Sequence, residues 1–225
     1  MKRIINERPE LNSKIIEKFA SLESVMSVSC VVSDCMERDG VMSSEMKMRS
    51  VNKTFIGPAF TVKLQSGFLC DCLDIFKYVK PGDVVVIDAF GETETSIWGG
   101  LMSGLARNAG AKGVVIWGSA RDTDEAKMLG FPIVSRSVCP REAHSALTQI
   151  FEPIEFETPV VCGGVIVNPG DLVVADEIGV AVVPYKDAET VYEKAIKQAA
   201  NEQGCREAIL QGATVPELLA KFGRI

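Results

Sequence analysis

Short runs of apolar and β-branched residues alternate along the chain with stretches whose apolar residues recur every three or four positions. The runs lie beside Gly and Pro and predict strands, whereas the spacing of three and four predicts helices. The predicted strands cover 57–64, 82–90, 112–118, 131–137, 160–167, 171–177 and 180–184. The predicted helices cover 15–22, 72–78, 96–108 and 123–129. This pattern is typical of a mixed α/β protein.

The order of these elements divides the chain into parts of different topology. Between 82 and 137 strands alternate with helices, which predicts parallel βαβ units because parallel neighbours need a crossover connection. Between 160 and 184 only a few residues join the strands, which predicts antiparallel hairpins. From 186 onward a narrow apolar stripe predicts a helical C-terminal tail, with another helix after Pro216. This stripe suits packing either on the chain's own core or on a neighbouring subunit.

Length and charge narrow the possible classes of protein. With 225 residues, 47% of them hydrophobic, the chain can bury a full core. We expect one domain over 1–225, with N-terminal helices within about 1–28 and the helical tail within about 186–225. Thirty acidic side chains outnumber 24 basic ones, which gives a net charge of −6. The chain therefore lacks the basic field that direct binding to nucleic acid or to an anionic membrane requires.

The cysteines and the N-terminal residues give information about the cellular compartment of the protein. The seven cysteines form no CxxC pair, and an odd number in an ordinary composition indicates reduced thiols. Cys70 and Cys72, which one residue separates, are interpreted as buried small residues rather than as a redox pair. The start MKRIINERPEL has neither a signal-peptide apolar region nor a spanning helix. We therefore expect a cytoplasmic protein.

The stretch GSARDTDEA at 118–126 places charged residues directly after an apolar predicted strand. The carboxyl ends of parallel strands are where α/β sheets build their sites. There Asp122 could bind Mg²⁺, which accepts one or two carboxylates, and Arg121 could hold a substrate carboxylate through paired hydrogen bonds. The alternative is structural, because Asp122 and Glu125 also have the spacing of a helix-capping box.

A second candidate is WGGLMSG at 98–104, where Gly99 and Gly100 precede an amphipathic stretch. Glycines at the start of a helix let backbone amides approach an anion. The alternative is a tight turn or a close packing contact. His144, the single histidine, is interpreted as a structural residue. Neither a Walker loop nor a GxGxxG motif follows a predicted strand, so the sequence gives no support for nucleotide binding.

Several segments in order resemble the RraA-like family, which includes 4-hydroxy-4-methyl-2-oxoglutarate aldolases and the regulator of ribonuclease activity A. They are GPAFTV (57–62), PGDVVVID (81–88), WGGLMSGLARNAGAKGVVIWGSARD (98–122), GFPIVSR (130–136) and GGVIVNPGDLVVADEIGVAVVP (163–184), within a match from about Ser29 to Phe222. The resemblance implies a β/β/α swivelling domain. It also implies a homotrimer or homohexamer with sites between adjacent subunits.

The resemblance assigns roles to individual residues. Asp122 matches a metal-binding aspartate for Mg²⁺ or Mn²⁺, and Arg121 matches a substrate-contacting, catalytic arginine. One position departs from the pattern, because Gly100 stands where the aldolases often carry an aspartate that supports the metal's waters. Glu125 matches an acidic position of the regulator-type members and is the candidate to replace that support. The loop expected to hold the substrate consists of Gly99, Gly100, Leu101 and Met102, and Glu202 of the tail matches an acid/base residue that reaches a neighbour's site.

These assignments imply a metal-dependent lyase that breaks a C–C bond of a small 2-oxo acid and releases pyruvate. Its substrate would be a 4-hydroxy-2-oxo acid, oxaloacetate or both, with the electron pair stored as an enolate that the metal stabilises. The alternative implied by the other branch of the family is a non-catalytic regulator that binds a partner such as a ribonuclease.

Overall fold

The computed structural model describes residues 3–64, 72–143 and 154–223. Its strands are β1 (Arg3–Ile5), β2 (Lys47–Met48), β3 (Phe55–Lys63), β4 (Val84–Asp88), β5 (Ser96–Trp98), β6 (Gly113–Ala120), β7 (Ile133–Val138), β8 (Ile154–Phe156), β9 (Val160–Cys162), β10 (Val165–Val167), β11 (Leu172–Ala175) and β12 (Val180–Val183). Its α-helices are α1 (Ser13–Ser21), α2 (Val28–Cys35), α3 (Gly100–Asn108), α4 (Thr123–Met128), α5 (Ala188–Leu210) and α6 (Val215–Phe222). The interpretations of Cys70 and His144 fall outside the described residues.

A mixed sheet forms the centre of the molecule. Across it, β1, β8, β3, β4, β6, β7 and β2 follow one another. The pairs β3–β4, β4–β6 and β6–β7 are parallel, which confirms the βαβ prediction for the middle of the chain. β5 lies parallel to the end of β6, while β11 joins β3 antiparallel and β12 pairs with β11. The sheet is therefore parallel in its centre and antiparallel where the later strands join it.

Three predicted elements differ in detail. The stretch 160–167 is not one strand but the antiparallel hairpin β9–β10, because Gly163 and Gly164 turn the chain with φ of 56° and 83°. The predicted helix 96–108 is a strand at Ser96–Trp98 and becomes helical from Gly100. The stretch 72–78 forms only a 3₁₀ turn at Leu73–Lys77. The tail is helical as expected, in α5 and α6.

Alternating side chains of the central strands enter two different cores. Val85 and Ile87 of β4 pack with residues of α3 and α4, whereas Val84 and Val86 pack with the layer of β9 to β12. This division follows from the period of two in a strand, and it explains why β4 is apolar at four successive positions. A third cluster covers the outer side of β11 and β12 with α1, α2 and α5. The prediction of a mixed α/β fold is thus confirmed, with helices outside two layers of strands.

The tail packs on its own chain in this structure. Val191 and Ala195 of α5 are buried in the third cluster, beside Phe19 of α1 and Val32 of α2. The N-terminal part of the apolar stripe of α5 therefore packs on the chain's own core. The sequence allowed this arrangement or packing on a neighbouring subunit. Among the described helices, none combines the length and the apolarity needed to cross a membrane.

Asp88, at the end of β4, is a buried carboxylate. Its oxygens accept hydrogen bonds from the backbone N–H groups of Phe90 (2.9 Å) and Val161 (3.4 Å). Burial raises the pKa of Asp88, and the two hydrogen bonds and Lys63 offset this in part. A carboxyl with a raised pKa holds its proton more tightly in the folded chain than in the unfolded chain. Its ionisation therefore lowers stability as the pH rises from about 3.9, the ordinary aspartate value, through the raised pKa.

Asp88→Asn tests this assignment. Because the amide does not ionise, the free energy of unfolding of the variant relative to that of the natural chain should increase as the pH rises from about 3.9 through the raised pKa of Asp88. The asparagine side chain can accept only one of the two hydrogen bonds that Asp88 accepts, and this loss changes the difference in unfolding free energy by the same amount at every pH. The change of the difference with pH is therefore the quantity that tests the assignment. Urea unfolding at several pH values measures it. A difference that stays constant over this range would contradict the assigned direction.

Candidate active site

The two stretches singled out in the sequence meet at one edge of the sheet. Strand β5 lies parallel to the end of β6, and the N–H of Arg121 donates to the carbonyl of Trp98 at 2.8 Å. The residues that follow both strands are therefore side by side. They are Gly99 and Gly100 after β5, and Arg121 and Asp122 after β6. The carboxyl end of a parallel strand carries the candidate site, as expected for this kind of sheet.

Asp122 adopts the left-handed conformation, with φ of 50° and ψ of 39°, and its side chain does not cap α4. The capping-box alternative for Asp122 and Glu125 is therefore wrong. The Oδ2 atom of Asp122 instead accepts a hydrogen bond at 3.3 Å from the N–H of Gly100, in the first turn of α3. A carboxylate at the N-terminus of a helix is stabilised by the helix dipole. The turn at Asp122 thus directs its carboxylate across to the neighbouring strand end.

Neither Gly99 nor Gly100 has a positive φ, so the backbone conformation does not require glycine at these positions. Their lack of a side chain instead leaves room for neighbouring carboxylates, which approach both closely. A Cβ atom on Gly99 would lie 2.7 Å from Oδ2 of Asp122. A Cβ atom on Gly100 would lie 2.0 Å from Oε2 of Glu125, well inside van der Waals contact. The carboxylate of Glu125 therefore fills the space that a side chain at position 100 would occupy. The N–H of Gly100 is hydrogen-bonded to the carboxylate of Asp122, and binding of a substrate by the amides of this loop stays a prediction.

Arg121 is held between two carboxylates. Its Nε lies 3.4 Å from Oδ2 of Asp122, and its terminal Nη2 donates to Oε1 of Glu142 at 3.2 Å. The guanidinium is partly exposed, so it can also reach a small molecule in front of α3. Glu142 was not identified from the sequence. The rule that located Arg121 could have found it, because Glu142 follows β7, another parallel strand that ends at this edge.

Gly99, Arg121, Asp122 and Glu142 line a cavity of about 180 Å³, whereas Gly100 and Glu125 are not among its lining residues. Its lining consists of Leu73, Ser96, Ile97, Trp98, Gly99, Leu101, Met102, Arg121, Asp122, Glu142 and Ala143. Sites for drug-sized ligands occupy about 300–1,000 Å³, so this cavity suits a smaller molecule. A larger cavity of about 460 Å³ lies between α2, β10 and α5, but it contains none of the residues singled out in the sequence. We take the 180 Å³ cavity as the candidate site because it is lined by Arg121 and Asp122, which follow a parallel strand, and by Gly99 at the start of α3.

A buried tryptophan supports the loop that lines the cavity before α3. The indole of Trp98 is buried, donates from Nε1 to Oγ of Ser103 at 2.9 Å, and stacks on Phe131 with ring centroids 6.4 Å apart. Oγ of Ser103 in turn donates to the carbonyl of Gly99 at 3.0 Å. Sequence reasoning missed this contribution of Trp98, which fixes the loop before α3. A helix start supported in this way keeps its amides in place.

The remaining predicted residues divide into those near the cavity and one apart from it. Met102 is buried and Leu101 is 80% exposed, and both line the cavity. Glu202 lies on α5, where it accepts hydrogen bonds from Gln198 and Arg206 at 2.8 Å. It does not line the cavity of its own chain. Its role at a neighbour's site stays a prediction.

The carboxylates fit a divalent cation that keeps most of its waters. Among residues 3–64, 72–143 and 154–223, no group of three or more His, Cys, Asp or Glu side chains could enclose a metal ion. The carboxylate of Asp122 nevertheless lies against Gly99 and that of Glu125 against Gly100, at the start of α3, and Asp122 also lines the cavity. Mg²⁺ is commonly bound by one or two carboxylates and several waters. The donors present therefore suit such an ion better than a metal that needs an all-protein cage.

Comparisons with known proteins identify relatives of this chain. A family model described as RraA-like (Aldolase/RraA) matches residues 29–182. A protein of Halalkalibacterium halodurans, provisionally named a 4-hydroxy-4-methyl-2-oxoglutarate aldolase, is 36% identical over 178 residues, which are 79% of this chain and 82% of that protein. Its name supports an aldolase-like activity for relatives of this chain.

Solved structures share the fold. An uncharacterized protein from Pseudomonas syringae pv. tomato superposes with a TM-score of 0.79 at 27% identity, covering 96% of this chain and 98% of the other. Streptomyces coelicolor RraAS2, described as an unusual member of the RNase ES inhibitor RraA family, has a TM-score of 0.73 at 26% identity, covering 88% and 99%. With more than half of its residues matched by the family model, this chain belongs to the RraA-like family.

Proposed function

We propose that this chain is a divalent-metal-dependent lyase, using Mg²⁺ or Mn²⁺, that breaks a C–C bond of a 2-oxo acid and releases pyruvate. The observation that carries the proposal is the convergence of Asp122, Arg121 and the N-terminus of α3 on one small cavity. The aldolase name of a relative at 36% identity supports the same reaction class.

The residues around the cavity would have different roles in binding the substrate and in stabilising charge. Asp122, with Glu125 beside it, would hold the cation, which supplies a Lewis acid for the 2-oxo group of the substrate. Arg121 would bind the substrate carboxylate and stabilise negative charge that develops during bond breaking. The N–H groups at Gly99–Met102 would orient the other end of the substrate, and the buried Trp98 would keep this loop in position.

Glu125 offers a reason why Gly100 can replace the aspartate of many aldolases. Its carboxylate already fills the space next to Gly100, so an acidic group is present there although it comes from α4. We propose that it holds a water of the cation, as the aspartate is expected to do. Groups around a metal that orient its ligands commonly affect activity by about 10–100-fold.

The two candidate reactions make different demands on the site. Decarboxylation of oxaloacetate needs no base, because carbon dioxide leaves as the electron pair moves toward the 2-oxo group. Cleavage of a 4-hydroxy-2-oxo acid needs a base to take the hydroxyl proton. Glu202 is the proposed source, from an adjacent subunit of a homotrimer or homohexamer, since it does not line the cavity of its own chain.

A pyruvate-release assay tests the proposal. The purified chain is incubated with a panel of 4-hydroxy-2-oxo acids and oxaloacetate, with Mg²⁺, with Mn²⁺ and after treatment with a chelator. Metal-dependent pyruvate release from at least one acid is the expected result. No release from any acid with either metal would overturn the proposal.

The likeness to RraAS2, described as a member of a ribonuclease inhibitor family, favours a second candidate function, which is binding of a partner such as a ribonuclease. Affinity purification from cells tests it. A ribonuclease that co-purifies with a chain inactive toward every acid would favour the regulatory function over the lyase.

A further inference from the structure

The backbone of Glu142 is held at the edge of the cavity by hydrogen bonds on both sides. The N–H of Ser96 donates to the carbonyl of Arg141 at 2.8 Å, and the N–H of Ala143 donates to the carbonyl of Ser96 at 3.0 Å. These two bonds join the segment after β7 to β5. The side chain of Glu142, which is 71% exposed, therefore extends from a backbone whose position beside the site is set.

The guanidinium of Arg121 is bonded more closely to Glu142 than to its neighbour in sequence, Asp122. Its Nη2 donates to Oε1 of Glu142 at 3.2 Å. Its Nε lies 3.4 Å from Oδ2 of Asp122, which is an ion-pair distance but too long for a good hydrogen bond. The stem of Arg121 lies against Gly99, since a Cβ on that glycine would be 3.4 Å from both Cγ and Nε. These contacts place the guanidinium between two carboxylates.

Asp122 has two possible partners for its carboxylate. A divalent cation bound there requires its negative charge, and Arg121 is the one positively charged residue among those described that line the cavity. Two parallel hydrogen bonds from a guanidinium would neutralise this charge, because paired arginine–carboxylate bonds are the strong form of the interaction. Only a small movement separates Arg121 from that arrangement, given the distance of 3.4 Å. Glu142 supplies the competing carboxylate.

We propose that Glu142 is a positioning residue that draws the guanidinium of Arg121 away from Asp122 and so leaves the carboxylate of Asp122 to the cation. The inference rests on the proposed function and adds a residue to the site. Glu142 acts through Arg121 and contacts neither the cation nor the substrate. The guanidinium has five N–H donors, so the bond to Glu142 leaves others for a substrate carboxylate.

A double-mutant cycle tests whether Glu142 acts through Arg121. Dissociation constants for Mg²⁺ are measured by calorimetry for the natural chain, Glu142→Gln, Arg121→Gln and the double variant. Glutamine at position 142 keeps the length of the side chain and removes its charge. Asp124→Asn is the matched control, because it removes an exposed carboxylate that is close to Asp122 in sequence and outside the cavity.

Glu142→Gln should bind Mg²⁺ about threefold more weakly, as suits a charge that is mostly exposed to solvent, because Arg121 then pairs with Asp122. The same substitution should have no effect in the Arg121→Gln background, where no guanidinium remains to be drawn away. Asp124→Asn should leave the dissociation constant unchanged. Pyruvate release by Glu142→Gln should fall at limiting Mg²⁺ and recover when Mg²⁺ is raised to saturation.

Four results would overturn the inference. Equal weakening in both backgrounds means that Glu142 attracts the ion directly, and an unchanged or lower dissociation constant in Glu142→Gln means that it does not assist the cation. A loss of pyruvate release that saturating Mg²⁺ does not restore, together with a lower unfolding temperature, means that its role is structural. If the natural chain neither binds Mg²⁺ nor releases pyruvate, the proposed function fails as well. Mg²⁺ binding and pyruvate release by the natural chain, with additive effects in the cycle, overturn the role of Glu142 alone.

Discussion

Asp122→Asn is expected to reduce metal-dependent pyruvate release by about 10³-fold, since a Lewis-acid ion contributes several kcal/mol and about 1.4 kcal/mol is a factor of ten. Asparagine suits this test for two structural reasons. It tolerates the left-handed conformation of residue 122, and its Oδ1 can still accept the hydrogen bond from Gly100. It loses the negative charge that a cation requires. Activity should therefore fall while the fold is kept.

Asp122→Ala is a less specific test than Asp122→Asn, because it also lowers the stability of the fold. It removes the hydrogen bond at the start of α3, which costs about 1 kcal/mol, and it places a residue without local hydrogen bonding in the left-handed region, which costs a further 1–2 kcal/mol or so. Loss of activity in this variant would therefore mix two causes. Thermal unfolding followed by circular dichroism separates them, with Asp122→Asn expected to unfold close to the natural chain.

Asp124→Asn is the matched control, because it removes an exposed carboxylate two residues further along, outside the cavity. It should retain activity. Magnesium titration followed by calorimetry gives a second readout, in which Asp122→Asn binds more weakly and Asp124→Asn does not. If Asp122→Asn kept full activity and full magnesium affinity, Asp122 would not be the metal ligand.

Gly100→Ala is expected to lower pyruvate release by about 10–100-fold, as for the loss of a group that orients a metal's ligands. The new Cβ would overlap the carboxylate of Glu125, which must swing away. The new Cβ would also lie 3.0 Å from the Cβ of Glu125, so the start of α4 must move by a few tenths of an ångström and a small loss of stability is expected as well. The loss should nevertheless appear in kcat more than in the temperature of unfolding.

Gly104→Ala, in the same helix, is the control for Gly100→Ala. A Cβ there meets only Leu129, at 3.8 Å, which is ordinary contact. Replacing this helical glycine should stabilise the fold by about 0.5–1 kcal/mol and leave pyruvate release unchanged. Glu125→Gln should lose activity to about the same extent as Gly100→Ala. Full activity in both Gly100→Ala and Glu125→Gln would show that the carboxylate of Glu125 has no part in the reaction.

The candidate site was partly visible in the sequence. Two stretches each predicted a site: Arg121 and Asp122 follow an apolar strand, and Gly99 and Gly100 precede a helix. The carboxyl ends of parallel strands are where α/β sheets bind ligands, and the start of a helix offers free backbone N–H groups. Which of these groups face one another was not visible. The capping box shows this limit, since its spacing was present while the left-handed turn at Asp122 directed the carboxylate elsewhere.

Local pattern was sufficient for the mixed α/β class and for the parallel pairing of β4, β6 and β7, because side-chain periodicity and connection length are properties of short segments. It did not distinguish the 3₁₀ turn at Leu73–Lys77 or the strand at Ser96–Trp98 from helix. The contacts of the site needed the folded chain. Glu142 reaches Arg121 because β7 ends beside β6, and Glu125 fills the space at Gly100 because α4 returns against α3. Both contacts join residues from different elements, and their geometry depends on how these elements pack rather than on any spacing along the sequence.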